Sequence, residues 1–287
     1  MKILVCIKQI PTSDININDS GKWITEGNNS SLAISRFDEN ALEEAILLKE
    51  RFALLGISVD IDIISIGSQT AAESIKRAMG MGADNGIHVI TEDKGYVSGA
   101  VTALRLATMI KKISKAENII KMGDAPYSCC PYDLILTGIM SEDLMQAQVG
   151  PMLAEYLNIP CVTSVVNIKF DDNLNDNVDI TDKIEVQREL EGGIRQNIKV
   201  KLPALLTIQA GINQPRYPSL SNILRANKKK ILTYNIVDAQ SSNSFDPLKV
   251  VRVEYPEKKR EAKLLNGTTK DKAIELKNIL KQRGLLI

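Results

Sequence analysis

The sequence predicts an α/β protein: a doubly wound, mostly parallel sheet with helices on both faces, extended by an antiparallel hairpin and a C-terminal arm. Apolar, β-branched runs at 2–7, 59–67, 86–91 and 132–138 alternate with stretches of helical period, which is a βαβα pattern. After Pro160 three extended runs follow one another without a helix between them. A chain of 287 residues with 44% apolar content can bury one sizeable core and still carry an appendage.

The opening Met1-Lys2-Ile3-Leu4-Val5-Cys6-Ile7 reads as the first strand. It is too short for a signal peptide, and no apolar run approaches the roughly 20 residues of a membrane span. The helix following Asp38 places Ala41, Ala45 and Leu48 on one stripe with Leu42 and Ile46 beside it, leaving Glu43, Glu44 and Lys49 for water. Thr70 and Glu73 have capping-box spacing for a second helix that stops in Ala78-Met79-Gly80-Met81-Gly82. A third helix spans 98–119 and a fourth 146–157, the latter after the strand 132–138. Strands joined by crossover helices run parallel, with the helices packed on both faces of the sheet.

The runs 161–170, 183–190 and 194–209 predict antiparallel pairing, and Glu191-Gly192-Gly193 supplies the positive φ that a tight hairpin turn requires. Residues 213–230 form a polar, Pro-punctuated stretch ending in a basic run, read as an exposed functional loop. A final helix over 269–283 gathers Ala273, Leu276, Ile279 and Leu280 on one side, so this tail must pack on something. The expected division is an α/β domain over 1–231 and a C-terminal arm over 232–287.

Thirty-six basic against thirty-five acidic residues leave no global field for nucleic acid or an anionic membrane. Four cysteines without CxxC spacing, two of them adjacent, point to reduced thiols and a cytoplasmic protein. His88 is the only histidine, which leaves little material for metal sites or triads and favours a structural role. The chain contains no GxSxG elbow and no HExxH, so independent covalent catalysis is not expected.

Ligands of open α/β sheets sit beyond the carboxyl ends of the strands. The loop from Gly138 to Pro151 joins a strand to a helix N-terminus, where free N–H groups and the helix dipole favour phosphate. From its residues alone it also reads as an ordinary βα loop capped by Ser141 or Asp143, since it lacks a P-loop lysine. The close-spaced glycines of Gly80–Gly86 follow a helix and precede a strand, the reverse of a dinucleotide fingerprint, and read as helix-stop glycines.

Several segments, in order, carry a resemblance. They are Lys8, Asn40-Ala41-Leu42-Glu43-Glu44-Ala45, Ala78 to Asp84, Gln148-Val149-Gly150-Pro151, Arg188-Glu189-Leu190-Glu191-Gly192-Gly193, Lys201-Leu202-Pro203-Ala204, and Asn213-Gln214-Pro215-Arg216-Tyr217-Pro218-Ser219-Leu220-Ser221-Asn222-Ile223 with its basic run. Together they resemble the beta subunit of electron-transferring flavoproteins, over most of residues 1–255. Phe37-Asp38-Glu39-Asn40-Ala41 and Pro160-Cys161-Val162-Thr163 lie nearest the nitrogen-fixation-associated and bifurcating branch. The resemblance implies a heterodimeric electron carrier whose alpha subunit shares an FAD with this chain. It further implies AMP or a second FAD in this subunit, bound by Cys6, Ser35, Phe37, Asp38, Ile66, Gly138, Ser141, Asp143, Gln146, Gln148 and Val149. Docking onto a flavoprotein dehydrogenase of acyl-CoA type falls to Arg216, Tyr217, Leu220, Asn222 and Ile223, with Leu220 as apolar anchor. Departures from the family pattern stand at Ser35-Arg36, Ile139-Met140-Ser141, Met145 and Ser98-Gly99, and with them the choice among AMP, FAD and an empty site stays open.

Overall fold

A computed structural model describes residues 1–12, 16–17, 23–24, 31–93, 96–116, 130–170, 183–235, 251–255 and 262–286. Its strands are β1 (Lys2–Cys6), β2 (Gln9–Pro11), β3 (Asn16–Ile17), β4 (Trp23–Ile24), β5 (Leu32–Ile34), β6 (Asp60–Gly67), β7 (Asn85–Ile90), β8 (Leu134–Gly138), β9 (Cys161–Lys169), β10 (Lys183–Glu189), β11 (Arg195–Lys201), β12 (Ala204–Ile208) and β13 (Leu232–Asn235). The helices are α1 (Arg36–Leu54), α2 (Ala71–Met81), α3 (Gly99–Ala116), α4 (Val149–Leu157), α5 (Leu220–Lys228) and α6 (Thr269–Gln282).

Nine strands form one sheet in the order β11-β10-β9-β12-β8-β1-β6-β7-β13. From β9 to β13 every neighbouring pair is parallel, and β10 and β11 add an antiparallel extension at one edge. Alternation along the central strands sorts the core into two layers, as a sheet covered on both faces requires. Ile3, Val5, Ile61, Ile63, Leu134 and Leu136 meet α1 and α2 through Leu42, Ile75 and Ala78. Leu4, Cys6, Ile64 and Ile135 meet α3 and α4 through Met109, Ile110, Leu153 and Leu157. At the rim of the first layer Phe52 and Phe170 pack edge to face with centroids 4.7 Å apart.

The expected doubly wound α/β sheet, its antiparallel hairpin and most of its helices are present, with informative differences. The run 194–209 is two strands, and the second, β12, slots between β8 and β9 parallel to both, so within the nine-stranded sheet the antiparallel pairing is confined to β9, β10 and β11. The break falls at Leu202-Pro203, where proline removes a ladder donor. The turn between β10 and β11 has Gly192 and Gly193 at φ 74° and 75°, as the hairpin requires.

Thr70 precedes α2 but makes no capping bond. Its hydroxyl donates instead to Gln9 Oε1 at 2.8 Å, so the capping-box spacing is occupied by a tertiary contact. The fourth helix begins at Val149 rather than at 146, because Met145 and Ala147 take left-handed φ values of 50° and 53° that no helix contains. Helix α3 is described to Ala116, and the expected extension to 119 and the cysteine Cys129 lie outside the described residues.

Glu43 and Glu44, expected in water, are buried to 3% and 8% exposure because they hold a distant segment, described below. Lys49 forms an ion pair with Asp84 at 2.6 Å. His88 is buried, and its Nε2 donates to the Ser68 carbonyl oxygen at 3.0 Å, a structural role. Among the described residues no helix is long and apolar enough to cross a membrane.

Contacts divide the chain into Met1–Arg252 and Val253–Ile287. Leu232–Asn235, at the start of the expected arm, pairs with β7 as the outermost strand of the sheet. In the second unit, α6 opens with a capping box in which Thr268 and Asp271 exchange side-chain and backbone bonds. None of its residues is buried, and Ile274 and Leu276 are about half exposed.

Candidate nucleotide site and docking segment

The chain winds from β1 to β6 and β7 on one side, then returns to β8 on the other, so the winding reverses between β1 and β8. The crevice at the carboxyl ends of those two strands is where an open α/β sheet binds ligands. Asp38, in the first turn of α1, bridges it. One carboxylate oxygen accepts the Lys8 N–H at 2.8 Å and the other the Gly138 N–H at 2.9 Å, so the exits of β1 and β8 hang on one buried side chain. Burial pushes the Asp38 carboxyl up to about 7, against the pull of its two backbone donors and of Lys8. Burial, and secondarily the Asp38 charge, also raise the Cys6 thiol well above its ordinary range. Gly138 cannot be anything larger: a Cβ there would stand 2.6 Å from Asp38 Oδ1 and 2.6 Å from the Phe37 Cβ.

Beyond Gly138 the loop is held by two ion pairs. Lys8 Nζ sits 2.6 Å from Asp143 Oδ2 and also donates to Ser141 Oγ at 3.5 Å. Glu142 receives the Arg36 Nε at 2.6 Å and the Arg36 backbone N–H at 3.1 Å, which caps α1. Gln146 and Tyr96 exchange hydrogen bonds at 3.0 and 3.3 Å, joining this loop to the one after β7. The loop's two acids are thereby neutralised by Lys8, just past β1, and by Arg36 of α1.

The contrast between helix ends follows. The α1 terminus carries Asp38 and Glu39 in its first turn and Glu142 at its cap. The α3 terminus is capped by Ser98 Oγ, which accepts the Val101 N–H. The α4 terminus has neither a capping side chain nor an acid in its first turn. Pro151 has no N–H and the Met152 N–H donates to the Gln148 carbonyl oxygen, so Val149 and Gly150 carry the N–H groups without an intrahelical partner at the positive end of the dipole. Gly99 lets the start of α3 pack closely against this terminus, since a Cβ there would stand 2.9 Å from the Gln148 Cβ. This is the chemistry of an anion site, and a nucleotide phosphate fits it.

Of the predicted cofactor residues, Cys6 and Ile66 lie at the carboxyl ends of β1 and β6 on the α3/α4 face, and Phe37 and Asp38 open α1. Ser35 precedes α1 with a fully buried hydroxyl that has no hydrogen-bond partner among the described residues. Gly138, Ser141, Asp143, Gln146, Gln148 and Val149 follow one another from the end of β8 to the start of α4. Sequence reasoning missed Arg36, Glu142 and Tyr96. Their partners are 106 and 50 residues away, and no local spacing signals such pairs.

The expected docking loop is an extended stretch followed by the helix α5, whose N-cap Ser219 accepts the Asn222 N–H. Tyr217 and Leu220 are exposed at 87% and 74%, while Ile223 is partly covered beside Gly80 of α2. Gly80 is therefore a helical position over which α5 lies, and Gly82, at φ 148°, is the helix stop. Asn222 accepts from Arg225. Arg216 points the other way, into Glu43 and Glu50 of α1.

A family model for the electron transfer flavoprotein domain matches residues 23–239. The chain is 33% identical over 293 residues to the electron transfer flavoprotein subunit beta of Thermoanaerobacterium thermosaccharolyticum, with both chains covered in full. It is 30% identical over 290 residues to the same subunit of Bacillus subtilis, again with full coverage of both. Against the caffeyl-CoA reductase–Etf complex subunit CarD of Acetobacterium woodii it is 32% identical over 276 residues, covering 94% of this chain and 93% of that one. End-to-end similarity to these subunits, together with the domain match, places the chain in the electron transfer flavoprotein family as a beta subunit.

Proposed function

We propose that this chain pairs with an alpha subunit in a cytoplasmic heterodimer that carries electrons from a flavoprotein dehydrogenase of acyl-CoA type to a second redox carrier. The observation that carries the reading is the crevice at the β1/β8 reversal, closed by Asp38 and facing the uncapped N-terminus of α4, in a chain with the family's full length. A flavin, when bound, supplies the electron-transfer chemistry. The chain's own work is binding and positioning. The Val149 and Gly150 N–H groups at the start of α4 and the Ser141 hydroxyl hold phosphate, and Lys8 and Arg36 neutralise the neighbouring acids so that an anion is not repelled. The hydroxyl of Ser35 offers a further polar contact from beside α1. In this reading the C-terminal arm, with its half-exposed apolar residues on α6, packs on the alpha subunit.

AMP or a second FAD occupies the crevice. The resemblance of Phe37–Ala41 and Pro160–Thr163 to the bifurcating branch favours FAD, and with it an alternative in which this subunit takes hydride from NADH. That one relative is named as part of a caffeyl-CoA reductase complex favours a partner acting on a CoA thioester. The test is co-expression with the neighbouring alpha-type gene and quantification of FAD and AMP released per heterodimer. Two FAD support the bifurcating alternative, and one FAD with one AMP supports the ordinary carrier. One FAD alone overturns nucleotide binding by this subunit, and a chain that stays monomeric overturns the whole proposal.

A further inference from the structure

Arg216 carries more side-chain hydrogen bonds than any neighbour in its segment, and all run to α1. Its Nε and Nη2 engage Glu43 Oε1 at 3.0 and 2.8 Å, while its Nη1 and Nη2 engage Glu50 at 2.6 and 3.1 Å. Its backbone N–H donates to Glu43 Oε2 at 3.0 Å. Three residues earlier, the side-chain amide of Asn213 donates to the Asn40 carbonyl at 3.0 Å and to Glu44 at 2.9 Å, and Asn40 returns a bond to Asn213 Oδ1 at 3.0 Å. The far end of the segment is held from α2: Lys76 Nζ donates to the carbonyls of Ala226 at 3.0 Å, Asn227 at 3.2 Å and Lys229. Arg77 of the same helix lies over the Tyr217 ring, 6.0 Å from its centroid.

A charge buried like that of Glu43 is retained only with a partner, so α1 has given up solvation of two glutamates to grip this stretch. Between the two grips the chain turns Tyr217, Leu220 and Leu224 outward. Holding an extended stretch and a nine-residue helix in one pose with its apolar side chains in water is costly, unless that pose is the one a partner meets.

We infer that Arg216, through Glu43 and Glu50, is a positioning residue that pre-orders the segment 214–228 for capture of the dehydrogenase. This rests on the reading of that segment as the docking surface. Arg216 faces inward and contributes by removing the ordering cost of Leu220 and its neighbours rather than by contact. A lysine cannot replace it, because one ammonium cannot serve two carboxylates in the fork geometry of a guanidinium.

The test uses the co-expressed heterodimer, with a short-chain acyl-CoA dehydrogenase and its acyl-CoA as the electron source. Arg216→Lys raises the KM for heterodimer about tenfold and speeds hydrogen exchange of backbone amides in 214–228 by a similar factor. Its nucleotide content, and exchange in the sheet strands, match the unaltered protein. Glu50→Gln, which removes the more exposed carboxylate, gives a smaller change in the same two readouts. Leu220→Ala is the reference: it raises KM without altering exchange. If Leu220→Ala raises KM but both clamp variants leave KM and local exchange unchanged, the positioning inference fails while the docking reading stands. If Leu220→Ala also leaves KM unchanged, the docking reading itself fails. Faster exchange throughout the sheet in the clamp variants overturns positioning in favour of a purely structural role.

Discussion

Replacing Asp38 with asparagine keeps the shape of the side chain and removes half of its acceptor capacity. In the native protein one oxygen accepts the Lys8 N–H and the other the Gly138 N–H, in a setting with 7% exposure. The amide offers one oxygen, so its NH2 group must face the second backbone donor and leave that N–H buried and unpaired. Such an orphaned group costs about 1–3 kcal/mol. For a midpoint value of about 2 kcal/mol and a urea slope of about 2–3 kcal/mol per molar, the unfolding midpoint falls by roughly 1 M.

The cost also depends on pH. The folded carboxyl titrates at about 7, above its ordinary value, so protonation favours the folded state. The stabilisation this group contributes is complete below about pH 4 and is lost as pH rises through 7. Asparagine does not titrate. The deficit of Asp38→Asn relative to the unaltered protein is therefore largest near pH 5 and shrinks towards pH 8. Urea unfolding followed by circular dichroism at pH 5, 6, 7 and 8 checks both statements. A midpoint unchanged at every pH would show that the bridge between β1 and β8 carries no energy. A deficit that grows with pH would show that the carboxylate is favoured by its donors more than it is penalised by burial.

Gly138→Ala places a methyl group 2.6 Å from Asp38 Oδ1 and Phe37 Cβ, and the overpacking costs about 1–3 kcal/mol, read as a lower melting temperature together with loss of co-purifying nucleotide. Lys8→Gln removes the cation that neutralises Asp143, so the nucleotide dissociation constant measured by titration calorimetry rises several-fold, while unfolding free energy changes by less than about 1 kcal/mol because the pair is partly exposed. Phe52→Ala removes a side chain with 1% exposure and its edge contact with Phe170, which lowers the unfolding free energy by about 3–5 kcal/mol without changing nucleotide content.

The parts of this fold that are local in sequence were legible there. The apolar, β-branched runs of β1, β6, β7 and β8 and the stripe of α1 can be read directly, and the glycines between β10 and β11 announce their turn. What failed is what depends on remote partners. The insertion of β12 between β8 and β9 is a choice among sheet edges that residues 204–208 do not encode by themselves. Thr70 had a plausible cap in Glu73, but Gln9 took its hydroxyl. Glu43 and Glu44 read as solvent-facing because glutamate usually is, and only the arrival of Arg216 and Asn213, about 170 residues later, makes their burial tolerable. At the candidate crevice the loop after β8 was visible in the sequence, but the start of α4 was placed three residues early, and the neutralisation of the loop's acids by Lys8 and Arg36 required the fold.

The order of strands in the sheet also bears on synthesis at the ribosome. β8 lies at the centre between β1 and β12, and β7 is covered on its outer side by β13. Until residue 208 has emerged, β8 offers a bare, largely apolar edge, and β7 waits until residue 235 for its neighbour. An unpaired apolar edge is a template for intermolecular pairing. Nascent chains stalled or truncated before about 208 are therefore the aggregation-prone species of this protein, and the long interval between β8 and its last partner is the window in which a chaperone has most to protect.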